Sequence, residues 1–103
     1  MAQKTYAGVT VEVTEEGYMT NPLQWTKEIA TAIALEENIT LTETHFAVLE
    51  FIRNRAQKGE ALTIRSVGNS GIVDIKGFYT LFPGAPMKKA AKIAGLLKPA
   101  SCV

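Results

Sequence analysis

Scarcity is the first thing this sequence shows: one cysteine, one histidine and one tryptophan in 103 residues. A lone cysteine cannot form an intramolecular disulfide, and one cysteine with one histidine cannot close a zinc site. No metal and no cofactor is therefore expected. Nor is there a His–Cys–Asp set of the kind that activates a protease-like nucleophile. Long apolar runs are missing too. Nowhere do about 18 apolar residues stand together, and Met1-Ala2-Gln3-Lys4-Thr5 lacks the apolar centre of a signal peptide. The expectation is a cytoplasmic protein with no membrane segment. Charge of one sign is also absent, since 11 basic residues against 10 acidic leave a net charge of +1. No strong field draws such a chain to nucleic acid or to a lipid surface. There are no repeats and no low-complexity segments. What is present, 47% apolar and 20% charged residues, fits one soluble globular domain with a modest core.

The N-terminal pattern has period two. Val9, Val11 and Val13 alternate with Thr10, Glu12 and Thr14, so residues 3–13 read as a β-hairpin with Ala7-Gly8 at its turn and Thr5-Tyr6 on the partner strand. Two strands alone are marginal in water and need helical support. Helical signals fill the rest. Asn21 as cap, Pro22 at the first position and Gln24 beyond it predict a helix with Trp25, Ile29, Ala32 and Ile33 inward, fading at Glu36-Glu37-Asn38. Thr42 caps a second helix with Phe46, Val48, Leu49, Ile52 and Ala56 inward, and Lys58-Gly59 ends it. Thr63–Val67 predicts one or two turns, stopped by Gly68-Asn69-Ser70-Gly71. Asp74 caps a helix carrying Ile75, Phe78, Tyr79 and Phe82, ended by Pro83-Gly84. The last helix opens at Pro86, buries Met87, Ala90, Ala91 and Ala94, turns Lys88, Lys89 and Lys92 outward, and meets Gly95 at its C-terminal cap. The expected fold class is α+β, mostly α: an N-terminal hairpin packed on a bundle of about five helices. Trp25 and the Phe78, Tyr79 and Phe82 group are expected in the core, and His45 is expected to be packed or hydrogen-bonded rather than catalytic.

Beyond Gly95 the chain ends in Lys98-Pro99-Ala100-Ser101-Cys102-Val103. Pro99 biases Lys98 toward extended geometry, so the tail reads as a short, semi-stiff arm. Nine residues from Gly95 to Val103 reach at most about 30 Å. Two parts are expected: a globular domain over 1–95 and a mobile arm over 96–103. The arm carries Cys102, the one soft nucleophile of the chain. An unshielded thiol in that place suits transfer between active sites as a carrier of sulfur or of an acyl group. An incidental surface cysteine is the alternative.

The run Leu81-Phe82-Pro83-Gly84-Ala85-Pro86, the lysine helix ending Lys92-Ile93-Ala94-Gly95, Lys98-Pro99 and the penultimate Cys102 resemble the C-terminal signature of the DsrC/TusE family. That family comprises the so-called gamma subunit of dissimilatory sulfite reductase and the sulfur carrier of tRNA 2-thiouridine synthesis. Glu15-Glu16-Gly17-Tyr18-Met19, Trp25, the Leu41–Phe46 helix start and Ile64-Arg65 extend the resemblance over nearly the whole chain. It implies a helical fold with an N-terminal hairpin and a mobile arm whose Cys102 receives sulfur as a persulfide, or forms a trisulfide, and relays it, with no stand-alone catalysis. The implied partners are donor and acceptor sulfurtransferases, a TusBCD/DsrEFH-like complex and a tRNA thiouridylase, or else a sulfite reductase. The sulfite-reductase branch has a second, resolving cysteine eleven positions before the last. Here that position is Ala91, so the chain resembles single-cysteine members, and the in-chain disulfide cycle is closed to it.

Arg65, Lys88 and Lys92 match basic positions of the family and are candidates for a cationic surround that stabilises a thiolate or persulfide anion. Solvated side chains on an exposed helix face are the plainer reading, preferred for Lys89. The chain departs from the family at Ala85, where the family has glycine, and at Leu97, where it has proline. Losing that proline is expected to loosen the root of the arm or to lengthen the last helix. The segment near 68–74 is shorter than in the family, which bears on partner choice. Two other functions stay open. One is a helix-turn-helix regulator built around Gly68, although Thr63–Val67 is thinly armed for phosphate contact, so direct nucleic-acid binding is not expected. The other is a subunit that positions or caps an enzyme without carrying sulfur.

Overall fold

The alternating valines form a strand. In the computed structural model, which describes residues 2–99, β1 (Ala2–Tyr6) and β2 (Val9–Val13) pair antiparallel with Tyr6 opposite Val9 and Ala2 opposite Val13. Ala7 and Gly8 both have positive φ, 52° and 79°, the turn geometry that matches the twist of a two-residue hairpin. Val11 and Val13 are buried, while Val9 at the turn end is 43% exposed. A second reversal at Glu15–Gly17 brings Met19 back to bridge Val13.

The first helix starts later than its sequence suggests. Asn21 accepts the Leu23 N–H at 3.0 Å but heads only a 3-10 turn, Pro22–Gln24. Trp25 then turns extended, and Thr26 caps α1 (Lys27–Glu36) by accepting the Ile29 N–H at 3.1 Å. Two good caps lie five residues apart, and the break between them frees the indole to reach another element. The inward stripe shifts accordingly to Ile29, Ala30, Ile33 and Ala34, leaving Trp25 and Ala32 half-buried. The hairpin is fastened to the far end of α1, where the Tyr6 hydroxyl donates to Glu36 at 3.0 Å and Lys4 donates to the same carboxylate at 3.4 Å.

Thr42 caps α2 (Glu43–Gln57) as expected. His45 completes the cap: its Nδ1 accepts the Thr42 N–H at 3.1 Å, so the ring proton sits on Nε2, which donates to the Leu81 carbonyl at 2.9 Å. The ring is also edge-on to Phe82, centroids 5.1 Å apart. This buried histidine thus ties the start of α2 to the end of α4 (Ile75–Leu81). Between them, α3 (Ile64–Gly68) is capped by Thr63 and crosses α4 closely: a Cβ on Gly68 would lie 2.6 Å from Ile75 Cγ1. Of the aromatic residues expected in the core here, Phe78 and Phe82 are fully buried, but Tyr79 is 41% exposed, and Ile75 beside it is 48% exposed. A two-turn helix has one inward row, and those two residues flank it.

Helix α5 (Pro86–Ile93) is the centrepiece, packed on α1, α2 and α4. Met87, Ala90, Ala91, Ile93 and Ala94 are all fully buried, and the alanines let neighbouring helices approach closely. The architecture is therefore one two-stranded hairpin and five α-helices among the described residues.

Burial pushes the phenols of both Tyr6 and Tyr18 above the ordinary tyrosine range, aided by the carboxylates of Glu36 and Glu16 respectively. The folded chain thus holds those protons more tightly than the unfolded one. Stability is fully present below about pH 10, the ordinary tyrosine value, and is lost as pH rises through the folded values. The urea midpoint should be level from neutral pH upward and fall on the alkaline side. Tyr6→Phe with Tyr18→Phe should flatten that limb, and a limb unchanged in the double variant would contradict the assignment.

Candidate functional site

Cys102 lies outside the described residues, so what the structure supplies is the ground from which its segment departs. A helix leaves its last four carbonyls without intrahelical partners. At the end of α5 all four are taken. Leu96 N–H donates to the Ala91 carbonyl at 3.0 Å and Gly95 N–H to that of Lys92 at 3.2 Å, with Gly95 left-handed at φ 73°; this pair is a Schellman cap. The Trp25 indole Nε1–H donates to the Ile93 carbonyl at 2.8 Å. Arg53, on α2, donates from Nη1 to the Ala94 carbonyl at 2.8 Å and from Nη2 to the Pro22 carbonyl at 3.1 Å. Its guanidinium also lies over the Trp25 ring, 4.3 Å from the centroid, where cation–π attraction operates. Burial lowers the Arg53 pKa from the ordinary arginine value. The last helix is not lengthened despite Leu97.

Arg53 was not picked out by sequence reasoning. Its signal was indirect: an arginine flanking the buried stripe of α2, and a tryptophan whose N–H needs a partner once it is covered. Beside the clamp, a cavity of about 560 Å³ is bordered by Pro22, Leu23, Trp25, Arg53 and Leu96, among others. Leu23 on its rim is 90% exposed.

The first residues after the cap rest on the body. Leu96 and Pro99 are buried, Leu97 and Lys98 exposed. They border a cavity of about 270 Å³ with Thr20, Pro22, Ala56 and Leu62. Lys98 Nζ reaches the Glu16 carboxylate at 3.0 Å. Ala91, eleven positions before Cys102, is fully buried.

Lys88 and Lys92 come together, with Lys89, in a concavity of about 200 Å³ also lined by Glu16, Tyr18, Glu37 and Ala85. Lys92 Nζ is 3.6 Å from Glu37, and a Cβ on Gly17 would crowd that ammonium at 3.3 Å. The site is therefore a mixed one, three ammonium groups facing two carboxylates. Arg65 is not among its lining; it stands exposed on α3. Among the described residues no group of three or more His, Cys, Asp and Glu side chains could hold a metal, and no helix is long and apolar enough to cross a membrane.

The two left-handed glycines at helix ends should respond differently to substitution. A Cβ on Gly59 (φ 76°) meets nothing within 4 Å, whereas on Gly95 it falls 2.6 Å from Trp25 Cδ1. Gly59→Ala should cost only backbone strain of about 1–2 kcal/mol, and Gly95→Ala at least about 2 kcal/mol more through the displaced indole. Equal losses in chemical denaturation would show that Trp25 does not wedge against the cap.

Comparison with known proteins gives the family and the fold. The family model described as DsrC like protein matches residues 5–103. A sulfurtransferase TusE of Photorhabdus laumondii is 34% identical over 116 aligned positions, covering 100% of both chains. The solution structure of Allochromatium vinosum DsrC superposes with a TM-score of 0.81 at 32% identity, covering 98% of this chain and 97% of that one. The oxidized gamma subunit of the dissimilatory sulfite reductase (DsrC) from Archaeoglobus fulgidus gives 0.82 at 29% identity, covering 99% and 100%. With sequence and fold matched end to end, the chain belongs to the DsrC family.

Proposed function

We propose that this protein is a sulfur carrier in which Cys102 accepts sulfur as a persulfide and relays it to a partner. The observation that carries the reading is the end-to-end similarity to a protein named sulfurtransferase TusE, in a chain whose one cysteine stands next to last in the sequence. The Cys102 thiolate attacks the outer sulfur of a donor persulfide. The donor S–S bond breaks, the donor leaves as a thiolate, and Cys102 holds the sulfur. An acceptor thiolate then attacks the outer sulfur of the Cys102 persulfide and returns Cys102 to a thiolate. One sulfur passes at constant oxidation level, so no external oxidant or reductant enters.

In this reading residues 1–95 form the docking body and 96–103 the carrying arm. The partners are a donor and an acceptor sulfurtransferase, of the TusBCD/DsrEFH and tRNA thiouridylase kinds, and the place of work is the cytoplasm. Lys88 and Lys92 supply positive charge for a persulfide anion, tempered by Glu16 and Glu37. A second reading, a gamma-subunit-like partner of dissimilatory sulfite reductase, draws support from the Archaeoglobus match; with alanine at position 91 it would work without an in-chain disulfide. The duplex-binding alternative has less behind it. The exposed residues of α4 (Ile75, Lys76, Tyr79 and Thr80) offer one positive charge, where phosphate binding needs several.

Incubation with polysulfide, or with a persulfidated cysteine desulfurase, should raise the protein mass in steps of one sulfur atom. Cys102→Ser should abolish the gain. A wild-type protein that stays unmodified while its thiol alkylates freely would overturn the carrier role and favour a subunit that carries no sulfur.

A further inference from the structure

Sulfur passes between Cys102 and a protein only where the two reactive sulfurs touch, and the body of this chain cannot be far from that meeting. Leu96 and Pro99 are buried and Lys98 is paired with Glu16, so the chain is still held on the body at Pro99. Cys102 is three residues further on, at most about 11 Å away whatever course they take. One side of a standard protein–protein interface covers about 800 Å², a disc of about 16 Å radius. A protein that reaches Cys102 therefore covers the ground around Pro99 as well. That ground is hollow and largely apolar. The cavity bordered by Leu62, Leu97 and Pro99 shares Pro22, Ala56 and Leu96 with the larger one beside Trp25, so the two form one groove. Leu97 borders it 57% exposed, and Leu23, at 90%, is the most exposed large apolar side chain among the described residues. Charge is sparse in the lining. Arg53 is engaged with two carbonyls and Lys98 with Glu16, and the remaining charged residue is Glu50. Nucleic acid would need several cations there, whereas an apolar protein surface needs none.

We infer that this groove is the docking surface for the sulfur-donating protein, with Leu23 and Leu97 as its apolar anchors. The partner is a sulfurtransferase that sets an apolar projection into the groove, close enough to its own reactive cysteine for the short tether beyond Pro99 to span the gap. That a sulfur donor is the occupant rests on the carrier role proposed above. A leucine that stands in water in the free chain loses that exposure on docking, the favourable change behind most protein association.

Calorimetric titration of the Cys102→Ser chain with an unloaded donor complex of the TusBCD/DsrEFH kind from the same organism reads docking with no sulfur in transit. The chain should bind with a negative heat-capacity change, the mark of apolar burial. In that background Leu23→Asp, and separately Leu97→Ser, should raise the Kd about tenfold or more, as loss of an interface anchor does. Leu35 is another exposed leucine, at 63%, that borders neither cavity. Leu35→Asp should leave the Kd within about twofold. All three side chains stand in solvent, so the variants should fold, which circular dichroism checks. The inference is overturned if the chain does not bind, if Leu23→Asp or Leu97→Ser binds as tightly as the parent, or if Leu35→Asp weakens binding equally. A parent that sediments as a dimer, with Leu23→Asp a monomer, would overturn it too, because a second copy then fills the groove. Sulfur uptake from polysulfide by the chain with Cys102 intact needs no docking, so failure of the carrier role and failure of this inference are distinguishable.

Discussion

A helix that ends inside a protein must find donors for its last carbonyls, and the rest of this structure is arranged around meeting that demand at α5. Two donors come from the chain that follows the helix, one from the tryptophan that precedes α1, and one from an arginine on α2. A buried carbonyl left without a partner costs on the order of 1–3 kcal/mol, so the four bonds together outweigh any single surface ion pair in the molecule. The break between the 3-10 turn and α1 follows from the same demand, because only an extended Trp25 brings its indole to Ile93. Gly95 follows as well, since the ring occupies the space where any side chain would go.

How much of this could be read from the sequence depended on how far apart the partners lie. Caps and stops at Thr42, Asp74, Pro86 and Gly95 were legible because each acts within a few residues of itself. So was the hairpin, whose alternation is local. The start of α1 was misread because Asn21-Pro22 is as good a local signal as Thr26, and the choice between them is made by a contact spanning 68 residues. Arg53 was invisible for the same reason, with its carbonyl partner 41 residues away. The exposure of Ile75 and Tyr79 is another product of tertiary packing, since a short helix lying across α3 has room for only one buried row.

The candidate site divides along the same line. Lys88 and Lys92 share a face because helical spacing places them there. That Glu16 and Glu37 oppose them depends on a turn and a helix end brought in from elsewhere, and sequence spacing carried no sign of it. The result is a moderated field rather than a strongly cationic one. Lys92 is mostly covered and engaged with Glu37, while Lys98, further along, reaches Glu16. Such pairs are screened by salt and hold weakly. They suit a surface that must meet a partner and release it. Arg65 stands apart on α3, exposed and outside that concavity.

The alanine at position 91, sealed in the core, changes the kinetics available to this chain. A second thiol on the same chain would confront Cys102 at an effective concentration set by the short loop between them, in the millimolar range for short flexible links, and would clear it by ring closure at a rate independent of what else is dissolved nearby. With only a methyl group there, sulfur held on Cys102 in the proposed role would have no second cysteine of the same chain to pass to. Under that proposal the lifetime of the loaded form would vary inversely with the concentration of acceptor, and occupancy of the single thiol would measure how fast the next molecule arrives.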